Sequence, residues 1–205
     1  MLITFDTSGF EPRGEGKWEN PQTGDFISVS GENGPLTEPV WLDNVPALQR
    51  HLAQQYAGMG CLVEADRVTV GRGPESADAA YQLAKAPIPH AEHGLVFIVQ
   101  FMFGKRDSSF SVMLMADEHG TAGPTGMREA VLMAKLGVND FFLPHPYDPQ
   151  LKSKLPFSRA DDPAFDAQFP DHPLSRARAF ARRFVASAAV NPAFASRPPY
   201  YGPRS

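Results

Sequence analysis

Cysteine is nearly missing from this chain of 205 residues, Cys61 being the single one, which excludes an intrachain disulfide and a cysteine-based zinc site. Long hydrophobic runs are missing as well. The longest near-continuous apolar stretch, Leu95 to Phe103, falls far short of the roughly 20 residues that a membrane-spanning helix needs. The first residues, Met1-Leu-Ile-Thr-Phe-Asp6, have neither the basic start nor the apolar core of a signal peptide, so a soluble, cytoplasmic protein without a membrane partner is expected. Strong charge of one sign is also absent. With 19 Lys and Arg against 23 Asp and Glu the net charge is -4, which supplies no global field for non-specific binding to nucleic acid or an anionic membrane. No Gly-x-Ser-x-Gly elbow occurs, and Gly71-Arg-Gly73 lacks both the third glycine and the following helix of a phosphate-binding loop. No cofactor is expected.

What is present suffices for a core. At 42% hydrophobic and 20% charged residues the chain has a globular composition, and its length suits a single domain over 1–205. Val45, Leu48, Leu52, Tyr56 and Met59 recur at helical spacing behind Asn44 and Pro46, which predicts a first helix ending near Gly60. Cys61–Ala65 and Arg67–Val70 read as short strands, with a further strand around Ala79–Lys85. Leu95–Phe103 and Phe110–Met115, joined by a polar loop, predict an antiparallel hairpin; its strands are apolar on both faces, so it should lie centrally and be covered on each side. A second helix is expected from about Gly126 to Leu136, capped by Thr125, with Met127, Ala130, Val131 and Ala134 as its stripe.

Proline then dominates: eleven of the twenty prolines lie from Pro144 onward, seven of them between Pro144 and Pro173. This segment, 144–173, should run extended over the surface as an ordered wrap, anchored with its near flank by Phe142, Leu143, Tyr147, Leu151, Leu155, Phe157, Phe165 and Phe169. A C-terminal amphipathic helix follows over 174–187, its face formed by Leu174, Ala177, Phe180, Ala181 and Phe184. The predicted fold class is α+β, an antiparallel β-sheet meander covered by helices.

Six histidines, His51, His90, His93, His119, His145 and His172, form no strong metal motif, and His90-Ala-Glu-His93 reads as a solvated turn. Cys61 reads as a small buried strand residue, and Ser108, Ser109 and Ser111 as parts of a hairpin turn and its edge. The densest polar cluster is Asp117-Glu118-His119 with Thr125, Arg128 and Glu129, where a central strand ends, a loop turns and a helix begins. Asp117, Glu118, His119, Arg128 and Glu129 are the candidate partner-binding residues; the competing reading is helix capping and internal ion pairing. From His172 onward there are six arginines and no acid. They could grip phosphate, with Tyr200 and Tyr201 stacking, but Asp161, Asp162, Asp166 and Asp171 just upstream favour internal pairing, so a nucleic-acid partner is not expected.

The element order resembles the PsbP-like superfamily, whose members include the photosystem subunit PsbP, a small Ran-binding nuclear import factor and effector chaperones of bacterial type VI secretion. The stretches that carry the resemblance are Leu48-Gln-Arg-His-Leu-Ala-Gln-Gln-Tyr56, Leu62-Val-Glu-Ala-Asp-Arg-Val-Thr-Val-Gly71, Val96-Phe-Ile-Val-Gln-Phe-Met-Phe-Gly104 and Ser109-Phe-Ser-Val-Met-Leu114. The resemblance implies a non-catalytic adaptor or chaperone that binds an unidentified protein partner. The alternatives are a small hydrolase using His119 with Asp117 or Glu118, with or without a divalent metal, and a nucleic-acid binder using the arginine helix.

Overall fold

In the computed structural model, which describes residues 2–32, 34, 36, 42–90, 92–118 and 127–200, with Glu32 by its backbone alone, strands come first: β1 (Ile3–Thr4), β2 (Glu11–Gly14), β3 (Lys17–Glu19) and β4 (Phe26–Glu32). Helix α1 (Val45–Ala57) follows, capped by the Asn44 side chain accepting from the Ala47 N–H at 3.1 Å. Then come β5 (Cys61–Val70), β6 (Ala77–Pro87), β7 (Leu95–Gly104) and β8 (Ser109–Asp117). Helices α2 (Met127–Leu136), α3 (Val138–Phe141) and α4 (Pro173–Ser187), strand β9 (Ala189–Val190) and helix α5 (Pro192–Ala195) complete the chain.

Among the described residues the larger sheet is antiparallel throughout, in the order β2-β3-β4-β8-β7-β6-β5, and β1 pairs separately with β9. The fold class is α+β, as expected. The β7–β8 hairpin does take the centre of the sheet, but its two faces differ. Phe97, Val99, Phe101 and Phe103 of β7 are fully buried under α4 and its neighbours, whereas Val96, Ile98, Met113 and Met115 on the opposite face are only half-buried. The covering of that second face by α1 reaches Leu62, Ala65, Ala80, Ala84 and Met102, which form a second core cluster with Leu48 and Leu52.

The two short strands expected over 61–70 are one. A bulge between Leu62 and Glu64 keeps the ladder to β6 running, and by inserting one residue it aims Glu64 at the α4 face, where Arg178 and Tyr81 meet it. Gly60 is required by close approach: a Cβ there would lie 1.9 Å from the Lys85 carbonyl oxygen. Gly31 lies inside β4 opposite Phe110.

Strand β5 is a sheet border, and the proline-rich segment covers it. The Ala65 N–H donates to the Tyr147 hydroxyl at 2.9 Å, the Leu155 N–H to the Gly60 carbonyl at 3.2 Å, and His145 Nε2 lies 3.1 Å from the Leu62 carbonyl. These contacts satisfy border groups that would otherwise invite another strand. The segment also contains short 3₁₀ turns at Arg159–Asp161 and Pro163–Gln168. Tyr147 and Leu151 pack on the second core, and Phe165 and Phe169 on a third cluster of Leu132, Phe141 and Ala160. Phe142 departs from the expected anchoring, being exposed.

His145 accepts from the Tyr147 N–H through Nδ1, so the ring is neutral and Nε2–H donates to Leu62. Burial pulls its pKa below the ordinary 6.5, only partly offset by the Leu62 carbonyl. A depressed folded pKa means that the unfolded chain binds the extra proton first as pH falls. The stability is therefore present above about 6.5 and lost as pH drops through the folded value. Between pH 7.5 and 5 the melting temperature of the native chain should fall more steeply than that of His145→Gln, which keeps a donor for Leu62 and does not titrate. Equal slopes would show that His145 takes up its proton alike in the folded and unfolded chains, its pKa not depressed by burial.

Candidate functional site

The structure separates the sequence-nominated residues. Asp117 ends β8 half-buried, and its carbonyl accepts from Arg176 Nη2 at 3.4 Å. His119, with Thr125, lies outside the described residues. Glu118 turns inward: its Oε2 accepts from the Leu95 N–H at 2.7 Å, and its own N–H donates to the Leu95 carbonyl at 3.1 Å.

Arg128, a candidate for partner binding with internal ion pairing as the competing reading, has a fully buried side chain. Nη1 donates to Asp166 Oδ1 at 2.9 Å and to Ser175 Oγ at 2.8 Å, and Nη2 donates to the Asp162 carbonyl at 2.8 Å. Asp166 Oδ1 accepts equally from Arg178 Nη1 at 2.9 Å. A buried guanidinium is tolerable only when paired and hydrogen-bonded in this way. Beside it, Lys85 Nζ lies 2.6 and 2.9 Å from the two oxygens of Asp161. Of the aspartates upstream of α4, Asp161 and Asp166 therefore neutralise cations inside the fold.

Arg176 of α4 pairs in the same manner, holding Asp25 through Nε and Nη2 at 2.8 and 2.7 Å, whereas Arg183 and Arg197 make longer pairs at the surface, 3.7 Å from Asp6 and 3.6 Å from Asp107. Arg178 also holds Glu64, whose other oxygen accepts from the Tyr81 hydroxyl at 2.8 Å. These last groups line a cleft of about 510 Å³ between α4 and the β5–β7 region, together with Arg182, Pro163, Val68, Phe101, Ala181 and Val185. Glu64 ties Arg178 and the Tyr81 phenol together, and burial, with Glu64 nearby, pushes the phenol further from ionisation. Cys61 is likewise inert: it is buried, and burial pushes its thiol up to about 11. His90 sits in the turn between β6 and β7 with φ 63°, and among the described residues it joins no cluster of potential metal ligands.

Turning Arg128 and Leu132 inward has a second result, because the stripe expected to be buried, Met127, Ala130, Val131 and Ala134, faces solvent. Met127 is 44% exposed and Val131 47%, and Val138 and Phe142 extend the apolar surface across α3 at 61% and 44%. Helix α2 is thus held by a charged residue and shows its apolar face outward.

Sequence reasoning missed His172. Directly before Pro173 it caps α4, with Nδ1 accepting from the Leu174 N–H at 3.2 Å; the sequence signal was a polar residue just ahead of a proline at a helix start. Its Nε2 points between two of the nominated acids, 3.6 Å from Glu118 Oε1 and 3.7 Å from Glu129 Oε2. Burial pulls the imidazole pKa down, but the two carboxylates outweigh it and leave the value raised; for Glu129 burial pushes up, and His172 outweighs it. Three elements, the end of β8, the first turn of α2 and the cap of α4, converge here. Set beside known proteins, the chain matches no family model and no curated protein.

Proposed function

We propose that this chain is a non-catalytic protein-binding module of adaptor or chaperone type, whose docking face is the outer surface of α2 and α3. The observation that carries the reading is the apolar stripe of Met127, Val131, Val138 and Phe142 held facing water. Several large apolar side chains exposed on neighbouring turns mark interaction sites more often than single exposed residues do. Arg128, first nominated for recognition, acts from beneath, pinning with Leu132 the helix that displays the stripe. The PsbP-like resemblance points the same way, toward a bacterial, secretion-associated chaperone, by analogy of element order. The pairing of Arg176, Arg178, Arg183 and Arg197 weighs against nucleic acid as the partner.

Val131→Glu tests the assignment. At an exposed position it should leave the melting temperature within a few degrees of the native value. Chemical cross-linking in extract of the source cell should yield a specific partner with the native chain and with the control Glu15→Lys, in the exposed β2–β3 turn, and lose it with Val131→Glu. Recovery of the same partner with Val131→Glu would place the docking face elsewhere.

A further inference from the structure

We propose that Glu118, Glu129 and His172 form a binding site for one divalent transition-metal ion of the zinc or manganese class, joining the end of β8 to the starts of α2 and α4. Each residue offers one donor atom, and the three atoms lie within 4.8 Å of one another. One imidazole with two carboxylates is a donor set that such ions accept. The His172 side chain is only 8% exposed, yet among the described residues its Nε2 has no hydrogen-bond partner, and neither has Glu129 Oε2. Buried polar atoms in that condition call for an explanation.

The spacing decides what fits between them. At 3.6 and 3.7 Å, Nε2 is too far from either oxygen for an N–H···O bond, which wants 2.7–3.2 Å. Donors that far apart and each about 2.1 Å from a common ion subtend about 120° at it, near the angle of a tetrahedral zinc site. Glu118 is oriented for the task from behind, since its Oε2 is fixed by the Leu95 N–H and its Oε1 faces His172. Such outer contacts position metal ligands in known sites.

Charge argues in the same direction. Two carboxylates this close repel unless a positive charge lies between them. Among the described residues the neighbouring cations pair with other acids: Arg128 with Asp166, Lys85 with Asp161 and Arg176 with Asp25. While His172 Nδ1 accepts from Leu174, the ring is neutral and carries its hydrogen on Nε2. Metal binding needs the Nε2 lone pair, so loading the site moves that hydrogen to Nδ1 and breaks the α4 cap. Loss of one cap lowers the affinity by roughly five- to tenfold and gives the bound state a signature of its own.

The test uses the full-length chain, freed of metal with a chelator and titrated with zinc chloride or manganese chloride. Calorimetry should report one strong site, and the melting temperature should rise by about 5–10 °C at a hundredfold excess of free ion over Kd. The Leu174 amide resonance should move on loading, because its acceptor is lost. Glu129→Gln, which preserves shape, and His172→Asn, which preserves a helix cap, should each weaken the affinity by at least about tenfold while remaining folded. Failure of both ions to bind at millimolar concentration overturns the proposal. So does undiminished binding in both variants, which would assign the metal to surface groups such as His93, or an unmoved Leu174 amide, which would leave a proton as the shared charge.

Discussion

Replacing Asp161 by alanine should cost about 3–5 kcal/mol of stability, the toll for breaking a buried ion pair from one side. Lys85 and Asp161 are both nearly inaccessible, and Lys85 Nζ contacts both carboxylate oxygens. Asp161 Oδ2 also accepts from the Ser158 N–H at 2.8 Å, closing the 3₁₀ turn that leads into the next. The variant strands an ammonium inside the protein and opens that turn together. Urea unfolding measures the loss. The double variant Lys85→Met with Asp161→Leu should recover much of it, because removing both charges abolishes the desolvation cost. A single-variant loss under about 1 kcal/mol would mean that Lys85 reaches water once released.

Phe101→Ala should destabilise by a similar amount, about 3–5 kcal/mol, as a large-to-small change in a close-packed core. Phe101 has no exposed surface, and its ring centroid lies 4.4 Å from that of Phe184 and 5.3 Å from that of Tyr81. The hole would open between α4 and β7, the contact that holds the main helix to the centre of the sheet. Denaturant unfolding again decides, and a loss below about 1 kcal/mol would mean that α4 settles into the space. Because Phe101 and Asp161 share no contact given by the structure, the two losses should be close to additive.

The parts of the fold that were legible in the sequence are those written in neighbouring residues. The alternation and apolar density of Leu95–Phe103 and Phe110–Met115 identify the central hairpin, and Asn44 with Pro46 marks where α1 begins. The face of α4 follows from spacing alone, and Leu174, Ala177, Phe180, Ala181 and Phe184 are buried. Helix α2 shows why periodicity fails elsewhere. Its apolar stripe reads as core, but Asp166 and Ser175, both distant in sequence, make Arg128 the better residue to bury. No local window contains those partners. Of the candidate site, Glu118 and Glu129 were nominated as neighbours along the loop and do converge. His172 enters only because α4 docks its first turn against the end of β8, a tertiary event with no trace in either segment alone.

The β1–β9 pairing bears on how the molecule is made. Ile3 waits for Val190 and Phe26 for Met115, while β5–β6 and β7–β8 close over short stretches of chain. At about 5–20 residues per second on the ribosome, roughly 10–40 s separate the synthesis of Ile3 from that of Val190. The meander from β5 to β8 can assemble during this interval, but β4 cannot dock before β8 exists, and the opening strand stays without its mate until nearly the end. Distant pairings of this kind slow the final search. The nascent chain therefore carries a finished half-sheet whose β8 border is filled by a segment made much earlier, and that order of events leaves the first thirty or so residues in the care of whatever else is at the ribosome exit.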